Sequence, residues 1–330
     1  MSLVSPPPSF VNAVEGSQLQ VKALTEWPLP EEAPKPLTRK HLELEMGHDA
    51  HTGKTRLRHC YLRFPLNVSQ IFRLEDDGST ASLKRAYLCK MNSASGLLAG
   101  DTLESALKLG SNSSLYLADQ AATKVYATPR TSDQPDIQAA VKYSIEMGDH
   151  ATLEYLAAPF ILDAEATLTQ NVEVMMPADA ALSLGEIMVP GQSAKSEMNE
   201  FRHFISELEL KSPDGKVWFS ESTLMPGRNS EKGDISAEKP AVGRLVLVLP
   251  KSTATPENLA VLGSQIRHLA KGENPTRANQ LDLSLSKLPG DRGLIVRTKS
   301  THPQAIQDCF KRVVNCVRQL RHQAPLPCSV

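Results

Sequence analysis

The sequence predicts a mainly β protein. Stacked antiparallel sheets are expected to form a β-solenoid or a sandwich, and a C-terminal β-α-β-β-α unit is expected to pack its two helices on one side. Apolar and polar residues alternate from Leu42 onward, as in strands with one face in a core. Gly and Asp cluster between the alternating segments, at positions typical of tight turns. The last third of the chain instead places apolar residues at helical spacing.

The strand predictions rest on short segments with a two-residue period. These segments are 42–46, 57–64, 103–109, 115–117, 141–145, 153–156, 171–176, 182–184, 204–210 and 217–219. Turns are predicted where Gly follows or precedes Asp, at 76–78, 147–149 and 213–215. Successive short antiparallel strands are therefore expected over the first two thirds of the chain.

The C-terminal α/β part, at about 240–325, begins with a nearly continuous apolar strand at 244–249, which we expect helices to cover. Thr255 and Pro256 resemble a helix cap and first turn, and apolar residues follow at helical spacing. Two further strands are predicted at 281–285 and 294–297. A second helix is predicted after a capping box that begins at Thr301.

The first 36 residues differ from the rest of the chain because they are rich in proline and lack periodicity. Proline disfavours helix interiors and central strands, so residues 1–36 are predicted to form an extended arm. Residues 37–330 are predicted to form a single domain, since 330 residues with 41% hydrophobic content allow one large β core.

Charge and hydropathy exclude several classes of partner. The chain has 36 Lys and Arg against 37 Asp and Glu, so it lacks the basic excess typical of nucleic-acid binding. We expect no nucleic-acid partner. No apolar run approaches the roughly 18 to 20 residues that a membrane-spanning helix needs. The protein is therefore expected to be soluble and cytoplasmic, without a membrane partner.

The five cysteines indicate reduced thiols. They lie at positions 60, 89, 309, 316 and 328, an odd number without CxxC spacing. Cys309 and Cys316 are seven residues apart on the second predicted helix and share one face, where burial as small apolar residues is favoured over metal binding.

Two short motifs resemble catalytic loops but lack the required context. The segment from Gly47 to Thr55 has five residues between its glycines where a phosphate-binding loop has four, and a strand follows it rather than a helix. A surface turn is the preferred interpretation. Ser193 lacks the second glycine of a nucleophile elbow, and no local context supplies its histidine and carboxylate. The chain is therefore predicted not to be an enzyme.

Metal-ligand chemistry is present in two forms. His48 and His51 flank Asp49 and could bind a divalent cation, although exposed turn residues explain this spacing equally well. The carboxylates of Asp101, Glu154 and Glu186 are hard oxygen ligands that hold a borderline cation weakly, which suits passage better than storage. Glu154 is also explained as the polar face of a strand.

Several residue blocks resemble the urease accessory protein UreD family, called UreH in some organisms. The resemblance is carried by Gly96 to Asp101, by the block from Gln120 to Tyr126 and by Leu153 to Leu156, and it extends over most of the chain. The family's glutamate, followed by Gly-Arg, matches Glu186 and Gly191. The chain departs from the family pattern at Ala99, Gln192 and Ser196, and Gln192 cannot reproduce the bidentate fork of the arginine it replaces.

The resemblance implies a non-catalytic metallochaperone scaffold. Such a scaffold binds apo-urease and recruits UreF and, through UreF, the GTPase UreG, so that nickel reaches the urease active site. No cofactor is implied beyond nickel in transit. An internal passage is thought to conduct nickel in this family, and Asp101 and Glu186 match its acidic positions. The other partner or motif residues that the resemblance marks are Gly100, Gln120, Lys124, Val125, Tyr126, Glu154, Gly191 and Glu197, and partner contact is expected at the polar rims near Gln120 to Tyr126.

Partner contact is also predicted for the C-terminal segment, residues 302–330. Cationic residues are expected on the solvent side of its helix, at Lys311, Arg312, Arg318 and Arg321, followed by a proline-rich tail. Two other functions remain open. One is a β-rich interaction module without a metal role, and the other is a hydrolase that uses Ser193 or a carboxylate pair.

Overall fold

A computed structural model describes residues 40–74, 84–127, 137–191, 201–227, 241–271 and 281–327. The predicted arm at 1–36, Ser193 and Glu197 lie outside these residues. The described residues form strands β1 (Leu42–His48), β2 (Thr55–Leu62), β3 (Leu66–Val68), β4 (Ala86–Asn92), β5 (Thr102–Leu109), β6 (Ser114–Asp119), β7 (Thr123–Val125), β8 (Ala139–Met147), β9 (Thr152–Leu156), β10 (Phe160–Leu162), β11 (Thr167–Met175), β12 (Ala181–Pro190), β13 (His203–Lys211), β14 (Val217–Pro226), β15 (Ala241–Val248), β16 (Leu281–Lys287) and β17 (Gly293–Ser300). They also form helices α1 (Pro256–Lys271) and α2 (Pro303–Leu320).

The strands form two sheets, which confirms the mainly β class. The first sheet has the order β14-β13-β11-β8-β5-β1-β2. The second has the order β16-β17-β15-β12-β9-β6-β4-β3, with β10 paired to β12 and to β7 beside this path. The order β15-α1-β16-β17-α2 confirms the predicted C-terminal unit.

The expected antiparallel pairing is wrong for the centre of both sheets. Strands β1, β5, β8, β11 and β13 run parallel, and so do β4, β6, β9 and β12. From β4 to β13 the chain passes back and forth between the two sheets, so the parallel neighbours within a sheet come from successive turns of the chain and point the same way. A two-residue period only reports which face is buried, and it is the same for parallel and antiparallel strands.

The main core contains the inward residues of both sheets. In the first sheet these include Leu44, Leu107 and Val172, and in the second they include Leu117 and Leu153. Every second residue of β8 is buried along its whole length, and the residues between them are half-buried or exposed, as the sequence pattern predicts.

A second core forms where the two helices cover the second sheet. Phe310 and Val314 of α2 pack there with Leu245 and Leu247 of β15 and Leu262 of α1. Strand β15 is therefore buried on both faces, which explains its continuous apolar sequence. None of the helices in the described ranges is both long and apolar enough to cross a membrane.

The two helix starts differ from each other. Thr255 accepts a hydrogen bond from the backbone N–H of Asn258 at 3.2 Å, which confirms the cap of α1. The predicted capping box of α2 is not formed, because the Thr301 hydroxyl instead contacts Nδ1 of His302 at 2.7 Å.

The thiols agree with the sequence analysis where the structure describes them. Cys60, Cys89, Cys309 and Cys316 are free, and Cys328 lies outside the described residues. Cys309 is buried in the second core, where burial raises the pKa of its thiol to about 11.

Close approach of α2 to the second sheet depends on two glycines. A Cβ on Gly243 would lie 2.6 Å from Cγ2 of Ile306 and 2.9 Å from Cζ of Phe310, and one on Gly185 would lie 3.3 Å from Cδ2 of Phe310. The Phe310 ring therefore packs directly against the backbone of Gly243 and Gly185, where no side chain intervenes.

Replacing Phe310 with alanine should leave a cavity between α2 and these glycines. We expect Phe310→Ala to lower the free energy of unfolding by about 3–5 kcal/mol, measured by urea denaturation. Leu224→Ala is the control, because Leu224 is 60% exposed, and it should change stability by no more than about 0.5 kcal/mol. Equal losses for the two variants would contradict this packing.

Candidate functional site

Three of the motif blocks meet at one edge of the second sheet. β7 carries Lys124 and Val125 and pairs in parallel with β10, which pairs in parallel with β12 just before Gly191. Leu97 of the first block forms a bridge with Val125. The blocks at 96–101, 120–126 and 186–191 are thus joined by one short ladder, which the sequence analysis did not predict because β7 and β10 have only three residues each.

Two motif glycines allow this ladder to close. The Leu97 N–H donates to the Lys124 carbonyl at 2.8 Å, and a Cβ on neighbouring Gly96 would lie 2.6 Å from the same oxygen. The Gly191 N–H donates to the Leu162 carbonyl at 2.6 Å, and a Cβ there would lie 2.7 Å from that oxygen. Both glycines are therefore required by the packing of the backbone.

Gly100 and Asp101 form an exposed turn beside this ladder. Gly100 has a φ of 93°, a left-handed conformation that favours glycine. The carboxylate of Asp101 accepts a hydrogen bond from the Leu98 N–H at 2.9 Å. Asp101 thus closes its own turn and stays open to solvent.

The side chains of the Gln120–Tyr126 block divide between surface and core. Gln120 and Lys124 are exposed, whereas Val125 is fully buried. The Tyr126 hydroxyl donates to the Ser95 carbonyl at 3.4 Å. Their predicted role in partner contact stays a prediction.

Next to this block lies a buried polar network that sequence reasoning missed. Lys90 contacts the Asp119 carboxylate at 3.1 Å and donates to the Tyr143 hydroxyl at 2.7 Å. The Tyr155 hydroxyl lies 3.0 Å from that of Tyr143 and donates to Asp119 at 3.2 Å. Burial and the negative charge of Asp119 raise the pKa of Tyr155 well above its ordinary value. Burial alone would lower the pKa of Lys90, but Asp119 and Tyr143 raise it, so Lys90 is a cation inside the protein.

Glu186 belongs to a different charged cluster, which links the two sheets. Its carboxylate accepts hydrogen bonds from the Ser206 hydroxyl at 2.6 Å and from Arg244 at 3.2 Å. Arg244 also contacts Glu221 at 3.4 Å, and Glu221 pairs with Arg297 at 2.5 Å. Arg244 was detectable in the sequence, because an arginine within a strand that is covered on both faces needs a carboxylate partner.

A groove of about 530 Å³ opens beside this cluster. Strands β12, β14, β15, β16 and β17 all contribute to it, and its lining residues include Glu186, Met188, Glu221, Met225, Val242, Arg244, Ser284 and Arg297.

Glu154 lies in the most deeply buried ion pair of the described residues. It is 2% exposed, and its carboxylate accepts hydrogen bonds from Nε of Arg318 at 3.0 and 3.1 Å. Arg85 approaches the same carboxylate at 2.8 Å. The Tyr87 hydroxyl accepts from Arg318 at 3.2 Å. Burial alone would raise the pKa of Glu154, but Arg85 and Arg318 hold it below its ordinary value of 4.5.

The predicted polar-face position of Glu154 is therefore wrong. Strand β9 lies between the main core on one side and α2 on the other, so both of its faces are covered. A polar residue at an alternating position is exposed only when one face of its strand meets water.

The expected solvent position of two helix cations is also wrong. Arg318 is fully buried against Glu154, and Arg321 donates to the Thr152 hydroxyl at 3.1 Å. Burial and the nearby charge of Arg85 lower the pKa of Arg321 to about 10. The physical reason is that buried Glu154 attracts these cations to the sheet side of the helix.

The rest of the predicted C-terminal contact segment stays a prediction. Arg312 is exposed and Lys311 is half-buried. The tail after α2 folds back, because Leu326 is buried and its N–H donates to the Asn315 side chain at 2.7 Å. Gln323 accepts from Arg85 at 2.9 Å.

The segment from Gly47 to Thr55 forms the turn between β1 and β2, which confirms the predicted surface turn. Asp49 accepts from the His51 N–H at 3.0 Å and pairs with Arg56 at 2.6 Å. Across the described ranges, no group of three or more His, Cys, Asp or Glu side chains is placed to hold a metal ion. Asp101 lies in an exposed turn, whereas Glu186 lies in the cluster between the sheets. Within the described ranges the two carboxylates do not belong to a common group of metal-ligating side chains.

Comparisons with known proteins agree with these motif positions. The family model described as UreD urease accessory protein matches residues 39–329. A protein of Trichodesmium erythraeum named urease accessory protein UreD is 33% identical over 293 residues, which cover 88% of this chain and 99% of that protein. A namesake from Actinobacillus pleuropneumoniae serotype 5b is 27% identical over 268 residues, covering 79% of this chain and 91% of that protein. The protein of the same name from Haloarcula marismortui is 23% identical over 286 residues, which cover 86% of this chain and 88% of that protein.

A mainly β protein with two sheets, a helix pair on one side and glycine-dependent motif turns is thus matched over nearly all of its described length by one family. The chain belongs to the UreD urease accessory protein family.

Neutralising Glu154 should destabilise the fold, because it leaves Arg85 and Arg318 buried without their carboxylate. We expect Glu154→Gln to lower the free energy of unfolding at pH 7 by about 3–5 kcal/mol. Because the folded pKa of Glu154 is lowered, its contribution is present above about pH 4.5 and is lost as the pH falls through the folded pKa. Urea denaturation between pH 7 and pH 3 should therefore show a shallower loss of stability in the variant.

The matched control is Glu173→Gln, since Glu173 is exposed and pairs with Lys211 at the surface at 3.1 Å. The Glu173→Gln variant should still lose stability as the pH falls, as the unsubstituted protein does, whereas Glu154→Gln should lose less. The same pH dependence in Glu154→Gln and the unsubstituted protein would show that folding leaves the pKa of this carboxyl group unchanged, which would contradict its lowering by Arg85 and Arg318.

Proposed function

We propose that this chain is a urease maturation factor that acts as a nickel-delivery scaffold. In this role it binds apo-urease and recruits UreF and, through UreF, UreG, so that nickel reaches the urease active site. The observation that carries the proposal is the match of the UreD family model to residues 39–329. The relatives are named as accessory proteins of urease and not as urease itself, which supports a non-catalytic role.

The distribution of exposed and buried motif residues supports a scaffold. Val125 and Gly191 are buried in the short ladder, where they hold its strands together. Gln120 and Lys124 are exposed beside them, on a backbone that the ladder keeps in place. Polar side chains presented on rigid strand ends suit recognition of a partner protein.

Nickel is the cargo in this proposal, and Asp101 and Glu186 are its candidate contacts. Each carboxylate already accepts hydrogen bonds from the protein, Asp101 from Leu98 and Glu186 from Ser206 and Arg244. A cation would have to compete with these donors for the carboxylate oxygens, so binding would be weak and reversible. Weak binding by hard oxygen ligands suits a borderline cation that must be released.

A second candidate function is a β-rich interaction module without a metal role. The described residues favour it in one respect, because they contain no cluster of three metal-ligating side chains. The two candidates agree on partner assembly and differ in whether carboxylate substitutions reduce nickel transfer. The hydrolase alternative rested on Ser193, which lies outside the described residues.

We expect the double variant Asp101→Ala, Glu186→Gln to reduce urease activation at limiting nickel by about tenfold or more, while co-purification with UreF, UreG and apo-urease is retained. Glutamine at 186 keeps an oxygen that can accept from Ser206 and Arg244, so the cluster loses a charge without losing its shape. The measurement is urease activity and nickel content after activation of apo-urease in the presence of each variant. A tenfold change corresponds to about 1.4 kcal/mol.

The control is Glu173→Gln combined with Asp214→Ala, which removes two exposed carboxylates elsewhere on the surface. Full activation by both double variants, with the complex intact, would favour the interaction module. Loss of co-purification together with activation would assign these residues to assembly instead of nickel passage. Deleting the protein without any effect on urease would overturn the proposed function itself.

A further inference from the structure

The second sheet extends beyond the first at the groove. β14 is the last strand of the first sheet, and Glu221 on β14 contacts Arg244 of β15 and Arg297 of β17. β14 therefore lies over β15 and β17, while β16 continues the second sheet past it. Among the described residues β14 pairs only with β13, so its other edge presents backbone N–H and C=O groups that no described strand pairs.

The floor of the groove consists of rows of side chains in register. One row contains Met188, Val242, Lys299 and Asp282, and the next contains Glu186, Arg244, Arg297 and Ser284. Each row is two residues further along its strands, so the rows repeat every 6.8 Å or so. That spacing equals the distance between successive side chains on one face of an added strand.

The chemistry of the two rows differs. The first row is apolar at one end, where Met188 and Val242 lie beside Met225 of β14, and charged at the other end, at Lys299 and Asp282. Methionine side chains adapt to varied partners. The second row ends in Arg297, whose side chain is 42% exposed although it pairs with Glu221, and in exposed Ser284. A partly exposed guanidinium can donate hydrogen bonds to a further carboxylate.

We propose that this groove binds an extended segment of a partner protein, which adds as a strand to β14 and places a carboxylate side chain over Arg297. The residue two positions away from that carboxylate is apolar and lies over Val242 and Met225. The volume of about 530 Å³ lies within the roughly 300–1,000 Å³ of typical ligand sites. Backbone hydrogen bonds along β14 supply affinity, and the two rows supply specificity.

A second copy of this chain fits the groove less well. Its own β14 carries Glu221 at an inward position, but that carboxylate is already bound to Arg244 and Arg297 of the same molecule. The occupant is therefore a different protein with an unpaired acidic residue. The inference goes beyond the proposed function, since it requires neither nickel nor urease.

The test uses the full chain and a synthetic nonapeptide with blocked ends. The peptide has glutamate at its centre, valine two and four positions away on each side, and threonine between them. We expect saturable binding by calorimetry and slower hydrogen exchange of the β14 amides when the peptide is bound. A peptide with glutamine at the centre should bind about tenfold more weakly, because its amide cannot pair with a guanidinium as a carboxylate does.

Two variants locate the site. Ser284→Trp fills the groove from an exposed position and should abolish binding, and Arg297→Gln should make the two peptides bind alike. Lys287→Gln is the matched control, because Lys287 is an exposed cation on β16 outside the groove lining. It should leave both affinities unchanged.

Several results would overturn the proposal. They are the absence of peptide binding at millimolar concentration, equal affinity of the two peptides for the unsubstituted protein, and binding that survives Ser284→Trp. Protection of β14 that rises with protein concentration alone, together with a dimer by ultracentrifugation, would assign the groove to a second copy. None of these results depends on urease activation, so failure of this inference is distinguishable from failure of the proposed function.

Discussion

The carboxylate of Glu154 is the interaction on which the arrangement of helix and sheets depends. It lies on β9, near the middle of the second sheet, and contacts Arg85, which immediately precedes β4, and Arg318 of α2. Removing such a carboxylate from water costs several kcal/mol, and only well-placed cations offset that cost. Three segments distant in sequence must therefore come together before the charge is stable, which ties the C-terminal helix and its tail to the centre of the fold.

The alternation of the chain between two sheets has a second consequence for function. Parallel neighbours bring strand ends from successive turns of the chain to the same edge, and the short ladder through β7, β10 and β12 forms there. The motif blocks of the family meet at this ladder although they are separated in sequence. Their glycines allow backbone segments to approach closely, while Gln120 and Lys124 remain at the surface. The fold thus separates residues that build the edge from residues that can meet a partner.

The sequence predicted which residues face a core but not how the strands are arranged. Alternation in β8 and the continuous apolar run of β15 indicated burial correctly, because each pattern reports the environment of a strand's faces. The hydropathy pattern gave no information on strand direction, and strands of three residues were too short to show a pattern. In the sequence, Glu154 and Arg318 each resembled ordinary residues on a polar face. The structure shows that both are buried and form an ion pair, although they are 164 positions apart in the sequence. The family resemblance identified the motif glycines but not the ladder that requires them.

The most direct test of the central interaction is a double-mutant cycle between Glu154 and Arg318. Free energies of unfolding would be measured by urea denaturation for Glu154→Gln, Arg318→Gln and the double variant. A buried pair predicts a coupling free energy of about 3 kcal/mol, because Glu154→Gln alone leaves both Arg85 and Arg318 without their counter-charge, whereas the double variant leaves only Arg85. Additive effects, within about 0.5 kcal/mol, would contradict the account and show that helix α2 is held to the sheet without this ion pair.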